Sequence, residues 1–215
     1  MQNIKSSEVI LKRVRNANLK QVDNMFEDVD LEKDIYTSID DNIEVLFATE
    51  LNNNGGTFVY CANEEELTNN LRALSESRKW SSFYSKEPKI QALLKAANIE
   101  FTQGDRDLIS TPNGITFCEA LIARIGSILV SSRQLSGRKT NFFPNTHIVI
   151  ADMSMVVPTV QSALERVHSK YEGRFPSMTT LITGPSRTAD IEKTLVKGMH
   201  GPRELIVFLL DEPLK

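Results

Sequence analysis

Cysteine is scarce in this sequence: two in 215 residues, Cys61 and Cys118, far apart and in no C-x-x-C pair. That scarcity excludes a disulfide framework, and the chain alone cannot supply four thiolates to an iron–sulfur cluster or a structural zinc. His-plus-carboxylate spacing of the metal-ligand kind is missing as well, so the expectation is that this chain binds no metal and no cofactor of its own. Both cysteines lie in apolar, strand-like runs, TFVYCA and GITFCEA, and read as small buried hydrophobes. No Lys/Arg run exceeds two residues and the net charge is −3, which removes the basic footprint of a nucleic-acid binder. Nowhere do about 18 apolar residues run together, so no membrane span is expected. The opening MQNIKSSEVILKRV lacks the apolar core of a signal peptide, and a cytoplasmic protein is the expectation. The G-x-G-x-x-G and G-x-x-x-x-G-K-[ST] loops and the G-x-S-x-G elbow are all absent, so dinucleotide, ATP and serine-hydrolase chemistry lack their usual support.

What is present is an ordinary globular composition, 40% hydrophobic and 25% charged, at a length that buries a sizeable core without staples. Residues 1–50 are polar-rich and predict helical surface elements or a lid; the loop ELNNNGG then marks the edge of a main domain at 51–215. Beyond it the period switches repeatedly. TFVYCA, KWSSFYS, IEFTQ, ITFCEAL, RIGSILVSS, HIVIADM, MTTLITG and ELIVFLLDE read as strands. Gly126 marks a bulge or a close backbone approach. Asn63 with Glu66 predicts a capped helix, PKIQALLKAAN a second with Asn98 at its left-handed end, and TVQSALERVHSKYE a third with a Val160, Leu164, Val167, Tyr171 stripe. TADIEKTLVKG reads as a fourth. Strand–helix alternation of this kind predicts an α/β fold with a mainly parallel sheet and helices on both faces. HIVIA, TTLIT and LIVFLL, nearly continuous apolar runs, are expected at the sheet centre.

The closing stretch, GPSRTADIEKTLVKGMHGPREL, concentrates the polar candidates. If MTTLIT is a strand of the open sheet, GPSR lies beyond a carboxyl end, where ligands collect in such folds. Gly184, Ser186, Arg187 and Thr188 would then form an anion site at a helix N-terminus, with Arg187 as a fork for a carboxylate or phosphate. His200 and Arg203 join it only if the chain folds back, and Arg138 in SGRKTN is a further candidate. Against this, Asp190 offsets the helix dipole itself and can pair with Arg187 three residues earlier, the commoner use of such residues. His147 reads as a core or strand-end histidine and His168 as a surface one; His200 is the best histidine candidate for catalysis, and Glu119 the carboxylate candidate.

These residues carry a resemblance. GPSRTADIEKTLVKGMHGPREL resembles the C-terminal signature of the LUD-domain family, and within it the lactate-utilisation C group. Gly137, Arg138, Pro144, Thr146 and His147 match an upstream family segment, and Glu119, Ile122, Ala123 and Gly126 match another. Arg124 and Ile125 stand where the family usually has Glu-Thr, so the family's acid is not carried over at that position. The resemblance spans about residues 55–215 and implies a fold similar to the ribose-phosphate isomerase, glucosamine-phosphate deaminase and CoA-transferase group. It also implies a part in carbohydrate metabolism, the oxidation of L-lactate to pyruvate, beside partner proteins that carry iron–sulfur clusters. This chain would be the cluster-free member, binding a small carboxylate or docking those partners. Two alternatives stay open: a CoA-transferase- or phosphosugar-isomerase-like enzyme using Glu119, or a non-catalytic interaction module.

Overall fold

The computed structural model describes residues 6–18, 39, 42–189 and 195–214. It divides into two units, 1–38 and 39–215. In the first, α1 (Ser6–Asn18) leaves Val9, Ile10, Leu11 and Val14 exposed. The second unit begins upstream of the edge expected at 51. Its helix α2 (Ile43–Asn53) starts at Asn42, whose side chain accepts the Glu44 N–H at 3.0 Å, and it sinks Phe47 and Leu51, one turn apart, into the core.

Three strand–helix units follow: β1 (Thr57–Cys61) and α3 (Glu64–Arg78), β2 (Phe83–Tyr84) and α4 (Pro88–Ala96), β3 (Phe101–Thr102) and α5 (Asp107–Ser110). The α3 cap forms as its sequence dictates. Asn63 accepts the Glu66 N–H at 2.9 Å while Glu66 reaches back to the Ala62 N–H at 2.8 Å. Asn98, just past α4, adopts φ +57. β4 (Asn113–Phe117), β7 (Thr146–Asp152) and β12 (Glu204–Leu210) complete a six-stranded sheet in the order β1-β12-β7-β4-β2-β3, parallel throughout.

Residues alternate between its two faces. Ile148, Ile150, Ile206, Phe208 and Leu210 meet α3 and α4 through Leu67, Leu71, Ile90, Leu93 and Leu94. Val149, Ala151, Leu205, Val207 and Leu209 face α2 and a second sheet. Each such side chain contributes roughly 2 kcal/mol of transfer free energy, which is why β7 and β12 are apolar on both faces.

The second sheet, order β8-β5-β6-β9, is built from β5 (Ala120–Ile122), β6 (Ser127–Ser131), β8 (Val156–Val157) and β9 (Thr179–Ile182). The chain passes into it directly at the carboxyl ends of β4 and β7, after Phe117 and Asp152 respectively. Helix α6 (Val160–Lys170) covers its outer face through Ala163 and Val167. Leu164, expected on that buried stripe, is 36% exposed. The core-facing line runs Val160, Ala163, Val167, Tyr171, because the small Ala163 lets the helix approach the sheet closely.

Two expectations for the last quarter are corrected. TTLIT does not lie in the parallel sheet: β9 is the edge of the small sheet, antiparallel to β6, and is half-exposed. TADIEKTLVKG does not form a helix from its start to its end. β10 (Arg187–Ala189) and β11 (Leu195–Lys197) pair antiparallel, Arg187 opposite Lys197 and Thr188 opposite Val196. β-branched Thr188 suits such a ladder. Residues 190–194 lie outside the described residues.

Candidate functional site

Polar candidates gather at two opposite edges of the parallel sheet. At the carboxyl edge, Glu119 sits in the two-residue step between β4 and β5, 2% exposed. Its Oε1 accepts the Ser131 hydroxyl at 2.6 Å and the Tyr171 hydroxyl at 2.7 Å, and its Oε2 takes the Lys170 ammonium at 2.6 Å. Burial pushes the Glu119 carboxyl up, but the bonds from Lys170, Ser131 and Tyr171 outweigh it and hold it below its usual value. Arg166 donates to the Glu119 carbonyl at 3.2 Å and to the Ser154 carbonyl at 2.8 Å, so the end of α6 clasps both crossovers between the sheets. Glu87, 7% exposed and just ahead of Pro88, accepts the Ser136 N–H at 3.1 Å; burial raises its proton affinity against that bond.

Of this group only Glu119 was visible in the sequence. Lys170, Tyr171 and Ser131 are 51, 52 and 12 residues away from it, and the sole local hint was a cation in the last turn of α6, where the helix dipole favours one. Removing one hydroxyl from the clasp by Tyr171→Phe is expected to cost about 1 kcal/mol, read as a lower urea midpoint with an unchanged m-value.

At the amino edge, the GPSR loop meets the start of the sheet. The expected position beyond a carboxyl end is corrected, because β9 runs antiparallel to β6 and delivers residues 184–187 to the edge where β1, β7 and β12 begin. Among the described residues, Arg187–Ala189 form a strand where a helix start was expected, and loop contacts take the place of the helix-N-terminal anion site. The Ser186 N–H donates to the Pro202 carbonyl at 2.8 Å and the Gly198 N–H to the Ser186 carbonyl at 3.0 Å. The chain therefore does fold back, bringing the 198–202 backbone that carries His200, and Arg203 just after it, to Ser186. Gly198, at φ +81, is crossed by the Arg203 side chain so closely that a Cβ would overlap it. Arg203 N–H donates to Asn145 O at 2.7 Å, which ties the segment to the start of β7. His200 and Arg203 are exposed, and among the described residues neither has an ion-pair partner.

The other candidates separate. Arg187 donates to the Asn54 carbonyl in the turn before β1; Asp190 lies outside the described residues. Gly184, at φ +80, packs on Asn54, where a Cβ would meet the Asn54 carbonyl oxygen. Thr188 lies in the β10 ladder. Arg138 is not part of this edge. Its guanidinium binds the Ser177 hydroxyl at 2.7 Å, beside Ser132 and past the other end of β6, about 14 Å away by strand rise alone. His147 is fully buried on β7, its Nε2 2.9 Å from Thr116 Oγ1. His168 is exposed, its ring against Phe175. Cys61 and Cys118 are buried free thiols. Among the described residues, no group of three or more His, Cys, Asp or Glu is arranged to hold a metal ion, and no helix is long and apolar enough to cross a membrane.

Comparison with known proteins places this geometry in a family. The model of the LUD domain matches residues 44–210. The chain is similar to lactate utilization protein C of Geobacillus kaustophilus, 43% identical over 101 residues, which cover 46% of this chain and 42% of that protein. It is similar to the protein of the same name from Bacillus subtilis at 36% over 101 residues, with the same coverage. The match thus spans less than half the length of these relatives. In fold it is similar to a DUF162 family protein from Deinococcus radiodurans, with TM-score 0.57 and 20% identity over 78% of this chain and 96% of that one.

Proposed function

Because this chain belongs to the LUD-domain family, we propose that it serves lactate utilisation as a cytoplasmic, cluster-free component that holds a small carboxylate at the amino edge of its sheet. The supporting observation is the fold-back of residues 198–203 onto Ser186. It brings the 198–203 segment, with His200 and Arg203 both exposed on it, to the amino edge beside Ser186. A guanidinium fork matches a carboxylate in two parallel hydrogen bonds, and an imidazole N–H can reach a neighbouring hydroxyl or keto oxygen. Lactate and pyruvate carry both groups. Electron transfer is then the work of partner proteins with iron–sulfur clusters.

Titration of the purified chain with pyruvate and with lactate, by calorimetry at low salt, tests the carboxylate site. Arg203→Ala and His200→Ala are each expected to weaken binding about tenfold, the equivalent of one charge-assisted hydrogen bond. Unchanged affinity in both variants overturns the assignment.

The rival enzyme reading, with Glu119 as nucleophile or base, lacks a comparable observation. Both Glu119 oxygens are held by donors, and a carboxylate so bonded is a poor nucleophile and a weak base. Incubation with acyl-CoA is expected to trap no thioester at Glu119.

A further inference from the structure

We propose that the carboxyl-edge cluster is a second ligand site, which takes a small oxyanion, a carboxylate or phosphate group, on Lys170 and Arg133 with Tyr171 between them. Three observations carry this. The first is position: Glu119, Lys170 and Tyr171 meet where β4 leaves the parallel sheet, at its carboxyl edge, the place where open α/β sheets gather ligands.

The second is over-construction. To pin α6 to the β4–β5 step, Arg166 and its two carbonyl partners suffice. The cluster adds a carboxylate that is 2% exposed, with three donors converging on it. Taking such a charge out of water is costly, and the result is two side chains fixed in advance. Tyr171 and Lys170 cannot turn away without stranding Glu119, so an incoming ligand orders little.

The third is spare cationic capacity. The ammonium of Lys170 donates to Glu119 and also engages the Tyr171 side chain, and it is 50% exposed, so N–H capacity remains for a ligand. The Arg133 guanidinium lies 5.5 Å over the Tyr171 ring and is exposed, with no ion-pair partner among the described residues. Beyond it, Arg138 with the Ser132 and Ser177 hydroxyls, 3.1 Å apart, extends the rim. Glu119, and Glu87 which also feels the Lys170 charge, offset part of these three cations. Lys170 Nζ lies 5.4 Å from the centre of the same Tyr171 ring, and a guanidinium with an ammonium is the pairing that oxyanions select, the fork for geometry and the point charge for strength. In this arrangement Glu119 is a positioning residue; Lys170 and Arg133 make the contacts.

The test uses inorganic phosphate and pyruvate as probes, titrated calorimetrically at low salt into an Arg203→Ala background, in which the amino-edge site is weakened about tenfold. Binding is expected to persist there for at least one probe. Lys170→Met and Arg133→Ala are each expected to weaken it about tenfold or more. Arg133, exposed and stacked on the Tyr171 ring with no ion-pair partner among the described residues, reports even if Lys170→Met fails to fold. Preference for phosphate or for pyruvate identifies which oxyanion the site takes, and either supports the proposal. In Glu119→Gln, the Lys170 side-chain resonance is expected to titrate at lower pH as binding weakens, a signature that a purely structural clasp would not couple to the probes. Absence of binding by both probes in the Arg203→Ala background, or equal binding after Lys170→Met and Arg133→Ala, overturns the site without touching the amino-edge reading.

Discussion

Gly126→Ala is expected to remove about 4 kcal/mol of stability, by adding the penalty of a left-handed backbone to that of overpacking. Gly126 closes the 3-10 turn at Ala123–Ile125 with φ +56, and a Cβ there would sit on the peptide joining Glu50 to Leu51. Neither partner is free to give. Leu51 is fully buried at the end of α2, and the Ile125 carbonyl next door accepts the Asn54 side chain at 2.9 Å. Asn54 in turn receives Arg187 and backs Gly184. One methyl group therefore loosens the junction on which the amino edge is built. Gly137→Ala is the control. Its φ is +63, yet nothing lies within 4 Å of the added carbon, so it carries the backbone penalty alone, about 1–2 kcal/mol. Urea unfolding of the two variants separates the terms: equal losses would mean that the Glu50–Leu51 contact contributes nothing.

Acidification is the second large effect. His147 is fully buried and burial lowers its pKa from 6.5 to about 4. It is neutral in the native chain, so its share of stability is complete above the unfolded value and is lost as pH falls through the folded one. Between those two values the unfolded chain takes up a proton that the folded chain refuses, and the loss is on the order of 3 kcal/mol. Glu87 works in the opposite sense. Its raised pKa means that its ionisation destabilises the fold as pH rises through the folded value, so protonating it on acidification offsets part of the loss. Glu119, held below the usual carboxylate value, adds its own loss only at more acidic pH. Denaturation curves from pH 7 to pH 4 are expected to show the fall in the parent and a shallower one in His147→Gln. An identical slope in both would place the acid sensitivity elsewhere.

Much of this architecture was readable because the centre of a parallel sheet leaves a plain mark. HIVIA and LIVFLL are apolar at every position but His147, and β7 and β12 are buried on both faces. TTLIT, with three threonines among five residues, lies on a half-exposed edge; runs this short cannot tell the two apart by periodicity. Caps were legible for the same local reason, Asn63 with Glu66 being three residues apart. The β10–β11 hairpin was not, since TADIEKTLVKG has helical periodicity and its strand pairing depends on where β9 releases the chain.

The sites divide in the same way. Ser186, His200 and Arg203 were marked by the glycines and prolines around them, and the fold-back that joins them was the open question. The partners of Glu119 had no local signal, because α6 brings them from far along the chain. Arg138 and Arg187, grouped by charge in the sequence, are separated by the length of the small sheet.

The account depends on this chain taking part in lactate oxidation without performing the redox step. The direct measurement is lactate-dependent reduction of an added electron acceptor by the purified chain, by the proposed iron–sulfur partners, and by all of them together. The account predicts turnover when the chain and its partners are combined and none from the chain alone. Turnover by the unaided chain, or full activity from the partners without it, would contradict it.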